Sequence, residues 1–295
     1  MKKTFIIAVF CVLSSQYIFP IQEKFPQTAD LRVNMEFRTL QPGEVVIVRL
    51  TGREDVKLAN VYFLESKYTM GQGQDPAEWL AFVGLDLGIK PGTYTIDISV
   101  LFDDGIYQNI SREILVLDKP FPLRKLWVEQ EYVTPPPEEM ERIRIESELL
   151  REIYNIFSPH WLGEGNFIIP SAGEVMPNFG ERRIFNNQPR SSHSGVDISS
   201  PYGSPVRASN SGRIVLANNL YFAGKTVIID HGLGVFTLYC HFSKITAKRG
   251  EWIKKGDVIG EVGVTGRVTG PHLHWGVRIF GNRVDPFSLV SLNFE

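Results

Sequence analysis

Cysteine is nearly absent from this sequence: among 295 residues, only Cys11 and Cys240 carry a thiol. Loss of an N-terminal segment containing Cys11 leaves Cys240 alone, which excludes an internal disulfide and makes packing the source of stability. Cys240 precedes His241 and so suggests a nucleophile–base pair. Neighbours on a strand face opposite ways, however, and a core role is the expectation for Cys240. No H-E-x-x-H occurs, so no helical glutamate stands ready as a base beside a metal. The glycines at 260, 263 and 266 do not form G-x-G-x-x-G and no helix follows them, which removes a nucleotide loop there. Lys254-Lys-Gly-Asp-Val-Ile-Gly260 has the look of a lipoyl- or biotinyl-carrier segment, but the M-K-M type of motif such carriers need is missing. Charge of either sign is also scarce in excess. The net of −2 divides into 17 Lys+Arg against 23 Asp+Glu over Met1–Gly163, and 14 against 10 over Glu164–Glu295. A mildly basic C-terminal half suits an anionic polymer and is far too weak to argue for nucleic acid.

The one apolar run near the start, Thr4 to Leu13, follows Lys2 and Lys3 and precedes Ser14 and Ser15. That order reads residues 1–20 as either a cleaved signal segment or an N-terminal membrane anchor, and the run is short for a span. Export to the periplasm or cell envelope is the expectation either way. The 43% hydrophobic and 22% charged composition is ordinary for a globular chain, and the length suggests two domains.

Residues 28–118 read as all-β. Glu44–Leu50, Val56–Leu64, Thr93–Leu101 and Ile110–Leu117 are strand-like, and Pro-Gly or Asp-Gly turns lie between several of them. Short strands at this spacing predict an immunoglobulin-like sandwich. It carries no cluster of histidine, cysteine or acid, so packing, spacing or contact with a regulatory partner is its expected role. Residues 119–163 read as a linker with a helix over Glu138–Phe157, opened by Pro135-Pro-Pro137 and acids in its first turn. Residues 164–295 are Gly-dense, with candidate strands at Gly212–Ala217, Thr226–Asp230, Val235–His241, Trp252–Lys254, Val258–Val262 and His272–Ile279. The fold class is therefore mainly β, ending in an antiparallel sheet or barrel-like domain.

Five of the six histidines fall between His193 and His274. His193-Ser-Gly-Val-Asp197 offers an imidazole and a carboxylate, a pairing that suits zinc. Three protein ligands plus water define a catalytic zinc site, and His272-Leu-His274 is the natural source of the third. Strand alternation sends both of those rings to one side. His231 reads as a turn residue in Asp230-His-Gly-Leu-Gly234, and His160 as incidental to the linker.

Arg190-Ser-Ser-His-Ser-Gly-Val-Asp197, Leu238-Tyr-Cys-His-Phe-Ser243 and Gly270-Pro-His-Leu-His-Trp-Gly276 resemble the HxxxD, Y-x-H-x-S and HxH motifs of lysostaphin-type (LytM-like) zinc endopeptidases. Phe179-Gly-Glu-Arg182 and Trp252–Gly260 resemble two further segments of the same domains, and the likeness covers roughly residues 166–289. The resemblance implies hydrolysis of peptide bonds in bacterial cell-wall peptidoglycan, with one Zn²⁺ per chain. It implies His193, Asp197 and His274 as the metal ligands and His241 and His272 as the catalytic pair, without saying which of the two is the general base. Arg182 and Tyr239 are candidates for substrate contact. The rival reading is a catalytically silent cell-wall-binding or amidase-activator module on the same fold. Silent relatives are expected to lack a ligand or a catalytic residue, and this sequence lacks none.

Overall fold

The computed structural model describes residues 21–24, 31–73, 75 and 77–294. The leader expected over residues 1–20, Cys11 and the start of the sandwich at residue 28 lie outside the described residues. Among the described residues no helix is long and apolar enough to cross a membrane.

The protein is mainly β. Its N-terminal part forms two antiparallel sheets. One runs in the order Ile21–Lys24, Arg32–Phe37, Val45–Thr51, Trp79–Gly84, Gly71–Gln72, and the other Ser66–Thr69, Val56–Phe63, Gly92–Phe102, Tyr107–Val116. Alternation decides which faces meet. Met35, Ile47 and Phe82 of the first sheet and Val61, Ile98 and Val100 of the second are buried in one core. Arg32–Phe37 and Trp79–Gly84 escaped the sequence reading because short strands without flanking turn pairs give little local signal.

That core does not stop at the sandwich. Val277, Ile279, Val284 and Leu289 from the far end of the chain belong to it, and Trp161 packs against both Phe82 and Phe294 at centroid distances of 5.0 and 5.5 Å. Two ion pairs cross the same seam: Arg38 Nη2 to Asp285 Oδ2 at 2.9 Å, and Arg283 Nη2 to Asp86 Oδ1 at 2.6 Å. Arg38 also holds the fully buried Glu44. Burial raises that carboxyl above its usual range, and the guanidinium beside it works against the rise. Deleting Arg38 would leave the fully buried Glu44 short of its main partner, a change that typically costs about 3–5 kcal/mol.

The helix occupies Met140–Tyr154, preceded by a 3₁₀ turn at Pro137–Glu139. Its buried residues Ile153 and Tyr154 pack on Leu216, Ile228, Phe236 and Leu238 of the C-terminal sheet, while Arg144 pairs with Glu141 and Glu148 on the solvent side. The linker also contains a strand, Leu123–Leu126, which runs parallel to Arg182–Phe185 in a three-stranded sheet closed by Gln188–Pro189.

The C-terminal part is built on an antiparallel sheet whose spine is Glu174–Met176, Gly195–Ser199, Leu273–Ile279, Val235–Ile245, Gly224–Asp230, Gly212–Leu220, Trp252–Ile253. Alternation is clean on Leu273–Ile279: Leu273, Trp275, Val277 and Ile279 are buried in the core, and His274 takes the other face. His231 is fully buried in a polar chain. Its Nδ1–H donates to the Ser211 carbonyl, Nε2 meets the Thr237 hydroxyl at 2.7 Å, and that hydroxyl meets the Tyr239 phenol. Burial pushes this imidazole down to about 4, so it serves the core as a neutral ring.

Candidate metal centre and its cleft

Sheet register brings the centre together. Asp197 on Gly195–Ser199 stands directly opposite His274 on Leu273–Ile279, and His274 in turn stands opposite Cys240. His193 lies two residues before the Asp197 strand, where its backbone is tied to Glu181 and Gly180. The Gly195 backbone passes so close to His274 that a Cβ there would fall 2.4 Å from the Trp275 carbonyl oxygen and 2.9 Å from His274 Nε2. Only glycine allows that approach.

His193, Asp197 and His274 each offer one donor atom, all within 4.8 Å of one another, and all three residues are buried or nearly so. Asp197 Oδ1 lies 3.1 Å from His193 Nε2 and 3.0 Å from His274 Nδ1, and the two ring nitrogens are 2.8 Å apart. His193 Nδ1 faces the Asn178 carbonyl oxygen at 2.9 Å and so carries the proton, leaving the Nε2 lone pair turned to the shared point. Burial would raise the Asp197 carboxyl, but His193 and His274 outweigh it and hold it well below the carboxylate range. Before any cation binds, burial pushes His274 down to about 4 despite its bond to Asp197. Two lone-pair nitrogens and one ionised oxygen converging in a buried corner fit a divalent cation of the zinc type.

Asn178 organises this corner and was not singled out in the sequence. Its carbonyl holds His193, its amide nitrogen donates to Asp197 Oδ2 at 2.8 Å, and its side-chain oxygen accepts from the Asp197 backbone N–H at 3.1 Å. Arg183 Nη2 adds a second donor to Asp197 Oδ2 at 3.0 Å. One carboxylate oxygen is thereby occupied by the protein and the other left for a cation. Removing an outer partner of this kind typically lowers metal affinity about 10–100-fold. Asn178→Ala is expected to lose zinc affinity by that factor in competition with a chromophoric chelator. An unchanged constant would leave Asn178 a packing residue only.

His272 and His241 stand beside the trio. His272 Nδ1 faces the Gly270 carbonyl oxygen at 2.8 Å, and its Nε2 lies 3.7 Å from Asp197 Oδ1. His241 Nδ1 faces the Thr265 carbonyl oxygen at 2.8 Å, and its ring centroid is 4.9 Å from that of His272. Both rings therefore donate through Nδ1 and keep Nε2 as the basic nitrogen. Burial, reinforced by His272 and His274, pushes His241 well below the usual imidazole range.

His241 reaches the cleft through a bulge. Its φ is +67°, and pairing with Gly224–Asp230 skips a residue between Tyr239 and Phe242. This breaks the alternation that would have put Tyr239 and His241 on one face. Tyr239 instead lies fully buried, its phenol meeting Ser209 at 2.6 Å and Thr237 at 2.9 Å. Arg182 is exposed and lies outside the cleft lining, whereas its neighbour Arg183 lines it. His160 is exposed and bridges Gln72. Cys240 is buried, and burial pushes its thiol up to about 12, so it supplies no thiolate at neutral pH.

The cleft over this centre is lined by Asn178, Asp197, His241, His272 and His274 and by the apolar Met176 and Phe185. The linker contributes a wall through Arg124, Leu126 and Val128. Val128 is fixed by a reciprocal pair of bonds with Asn186, at 3.0 and 2.9 Å. This wall leaves little local signal, since a four-residue strand of Leu-Arg-Lys-Leu is polar and short.

Comparison with known proteins agrees with this architecture. Residues 191–286 match the family model described as Peptidase family M23. The crystal structure of a protein from Pseudomonas aeruginosa described as an M23 peptidase superposes with a TM-score of 0.67 at 30% identity, covering 86% of this chain and 96% of that one. Peptidoglycan DD-endopeptidase ShyA of Vibrio cholerae is 40% identical over 118 residues, which are 40% of this chain and 27% of the relative. DD-carboxypeptidase/endopeptidase Mpg of Neisseria meningitidis is 46% identical over 98 residues, 33% of this chain and 23% of the relative. The aligned part thus spans about a quarter of these curated relatives. Likeness to the Pseudomonas structure extends over nearly the whole length of that protein, and on that ground the chain belongs to peptidase family M23.

Proposed function

We propose that this chain is a zinc-dependent endopeptidase of the cell envelope that hydrolyses peptide bonds in peptidoglycan. The observation that carries the reading is the meeting of His193, Asp197 and His274 in one corner with two further basic nitrogens, on His241 and His272, beside it. His193 Nε2, Asp197 Oδ1 and His274 Nδ1 would hold the ion. Zinc in such a three-ligand site lowers the pKa of a water and polarises a carbonyl. The remaining work falls to the protein. His272 is the better proton acceptor, because its ring is 19% exposed and an imidazolium there can be solvated. His241, more deeply buried and with its Nδ1–H held by the Thr265 carbonyl, keeps an Nε2 lone pair that can accept from an N–H of the substrate and orient the scissile amide. Once protonated, His272 can return the proton to the departing amine.

ShyA is called a peptidoglycan DD-endopeptidase and Mpg a DD-carboxypeptidase/endopeptidase, which supports the same polymer as substrate here. Peptidoglycan lies outside the cytoplasmic membrane, and Lys2-Lys3 followed by an apolar run suits delivery there. The finer organisation we read as an immunoglobulin-like sandwich over residues 28–118, a linker over 119–163 and the peptidase unit over 164–295, with the sandwich as the surface for a regulatory partner.

The test is digestion of purified sacculi with zinc-loaded protein and identification of new termini by mass spectrometry. New amino and carboxyl ends at one type of peptide bond, lost on chelation and restored by zinc, are expected. A chain that holds one zinc yet releases no new termini would overturn the enzymatic reading in favour of a binding module.

A further inference from the structure

Arg124, Arg183 and Arg267 line the cleft and Arg190 lies close to Arg267; all but Arg267 are spoken for. Arg183 binds Asp197 Oδ2, Arg124 reaches Glu181 at 3.4 Å, and Arg190 donates to the Gln188 side chain at 2.8 Å. Arg267 is different. It lines the cleft with His241 and His274, and it also lines the adjoining depression shared by His193 and Cys240. Among the described residues no carboxylate or carbonyl oxygen takes a hydrogen bond from its guanidinium. Its side chain is held by two rings instead, with the guanidinium carbon 4.7 Å from the Phe185 centroid and 4.9 Å from the Phe222 centroid. The backbone N–H of Arg267 donates to the Phe222 carbonyl at 2.8 Å and fixes the approach.

Ring faces attract a guanidinium without using its N–H groups. Stacking therefore positions the planar fork and leaves its five donors unspent. Burial, together with the charges of Arg183 and Arg190, pushes this guanidinium down to about 10, so it remains cationic at neutral pH while its surroundings resist the charge. A half-buried cation that is held in place, placed next to like charges and given no acceptor is poised for an anion brought by the ligand. The planar fork matches a carboxylate in two-point geometry.

We propose that Arg267 receives a free carboxylate of the peptide substrate close to the bond being cut. The substrate class then narrows from peptides in general to peptides that carry an unblocked carboxylate near the scissile bond, either a side-chain carboxylate or a C-terminal one. This rests on the peptidase reading above, and the experiment separates the two.

A synthetic cross-linked dimer of two stem peptides is prepared in three forms: all carboxylates free, the side-chain carboxylate beside the cross-link amidated, and the C-terminal carboxylate amidated. With the zinc-loaded chain, amidation at one of the two positions is expected to lower kcat/KM about tenfold or more, chiefly through KM, as loss of a charge-assisted hydrogen bond would. The sensitive position identifies the source of the carboxylate. In Arg267→Gln the ratio between free and amidated forms is expected to collapse to within about twofold, and in Arg267→Lys, which keeps the charge but not the fork, to fall between. Zinc content and Tm report whether each variant is folded, and the three substrates on the unaltered chain test the idea without any variant. Equal cleavage of all three forms, or an undiminished ratio in Arg267→Gln, would overturn it. Should the chain cut none of the dimers, the peptidase reading fails, and calorimetric binding of the same three compounds decides the matter. Weaker binding of one amidated form, lost in Arg267→Gln, upholds the Arg267 assignment, while equal or absent binding sinks it.

Discussion

Asp197→Asn is expected to leave the protein folded but nearly free of zinc, with peptide cleavage reduced by about a thousandfold or more, since both the Lewis acid and its activated water go with the ion. The substitution keeps the shape and removes the charge. In the parent chain one carboxylate oxygen faces the His193 and His274 nitrogens while the other takes hydrogen bonds from Asn178 and Arg183. An amide cannot serve both groups of neighbours. If its oxygen turns to Asn178 and Arg183, its NH₂ donors point at two imidazoles and no anionic ligand remains. If it turns the other way, Arg183 is left beside an amide nitrogen. Asp197→Ala should be harsher, because Arg183 then loses its nearer carboxylate partner in a site where both side chains are mostly buried, and Glu181 Oε2 lies 3.8 Å away. Deleting one member of such a pair typically costs about 3–5 kcal/mol, and a fall in Tm should accompany the loss of metal. Zinc per chain is read by elemental analysis after zinc-supplemented purification. Retention of a full equivalent in Asp197→Asn would refute the assignment of this carboxylate.

His272→Ala should separate chemistry from metal binding. Its Nε2 lies 3.7 Å from Asp197 Oδ1, beside the three-donor corner, and its Nδ1 is committed to Gly270. The variant is therefore expected to keep about one zinc per chain. A positioned general base typically contributes about 10²–10⁴-fold, so kcat should fall within that range. The pH profile provides the discriminating readout. The acidic limb of kcat/KM, which reports protonation of the base in the free enzyme, should disappear or move in His272→Ala. Were His241 the base instead, His241→Ala would remove that limb and His272→Ala would leave it in place. Zinc loss in His272→Ala would mark His272 as a ligand, and cleavage within about twofold of the parent would exclude it from the chemistry.

Much of this arrangement is legible in the residue types and their spacing. Period-two alternation places His272 and His274 toward the same side, and the structure finds both within 3.7 Å of Asp197. Strand reading was accurate where turn residues bracket apolar runs: Val258–Val262 is found with the expected bounds, and Gly92–Phe102 differs by one residue at each end. These are local properties, set by side-chain chemistry a few residues apart. The immunoglobulin-like character assigned to the sandwich is a finer matter than two sheets around one core, and it stays with the proposals.

What escaped the sequence depended on which segments meet. Arg182 and Arg183 are indistinguishable as letters; parallel pairing of Arg182–Phe185 with Leu123–Leu126 leaves the first exposed and puts the second over Asp197. Tyr239 was expected to share a side with His241, but a single extra residue in the ladder, paired with the positive φ of His241, separates them. Asn178 sits in no recognisable pattern, and only the return of Gly195–Ser199 past it reveals that it holds two of the three donors. Residue types and spacing follow from the chain because they are local. The outer partners of the metal corner, the linker wall of the cleft and the unpaired guanidinium of Arg267 arise from contacts between residues up to about a hundred positions apart, and those exist only once the sheets have closed.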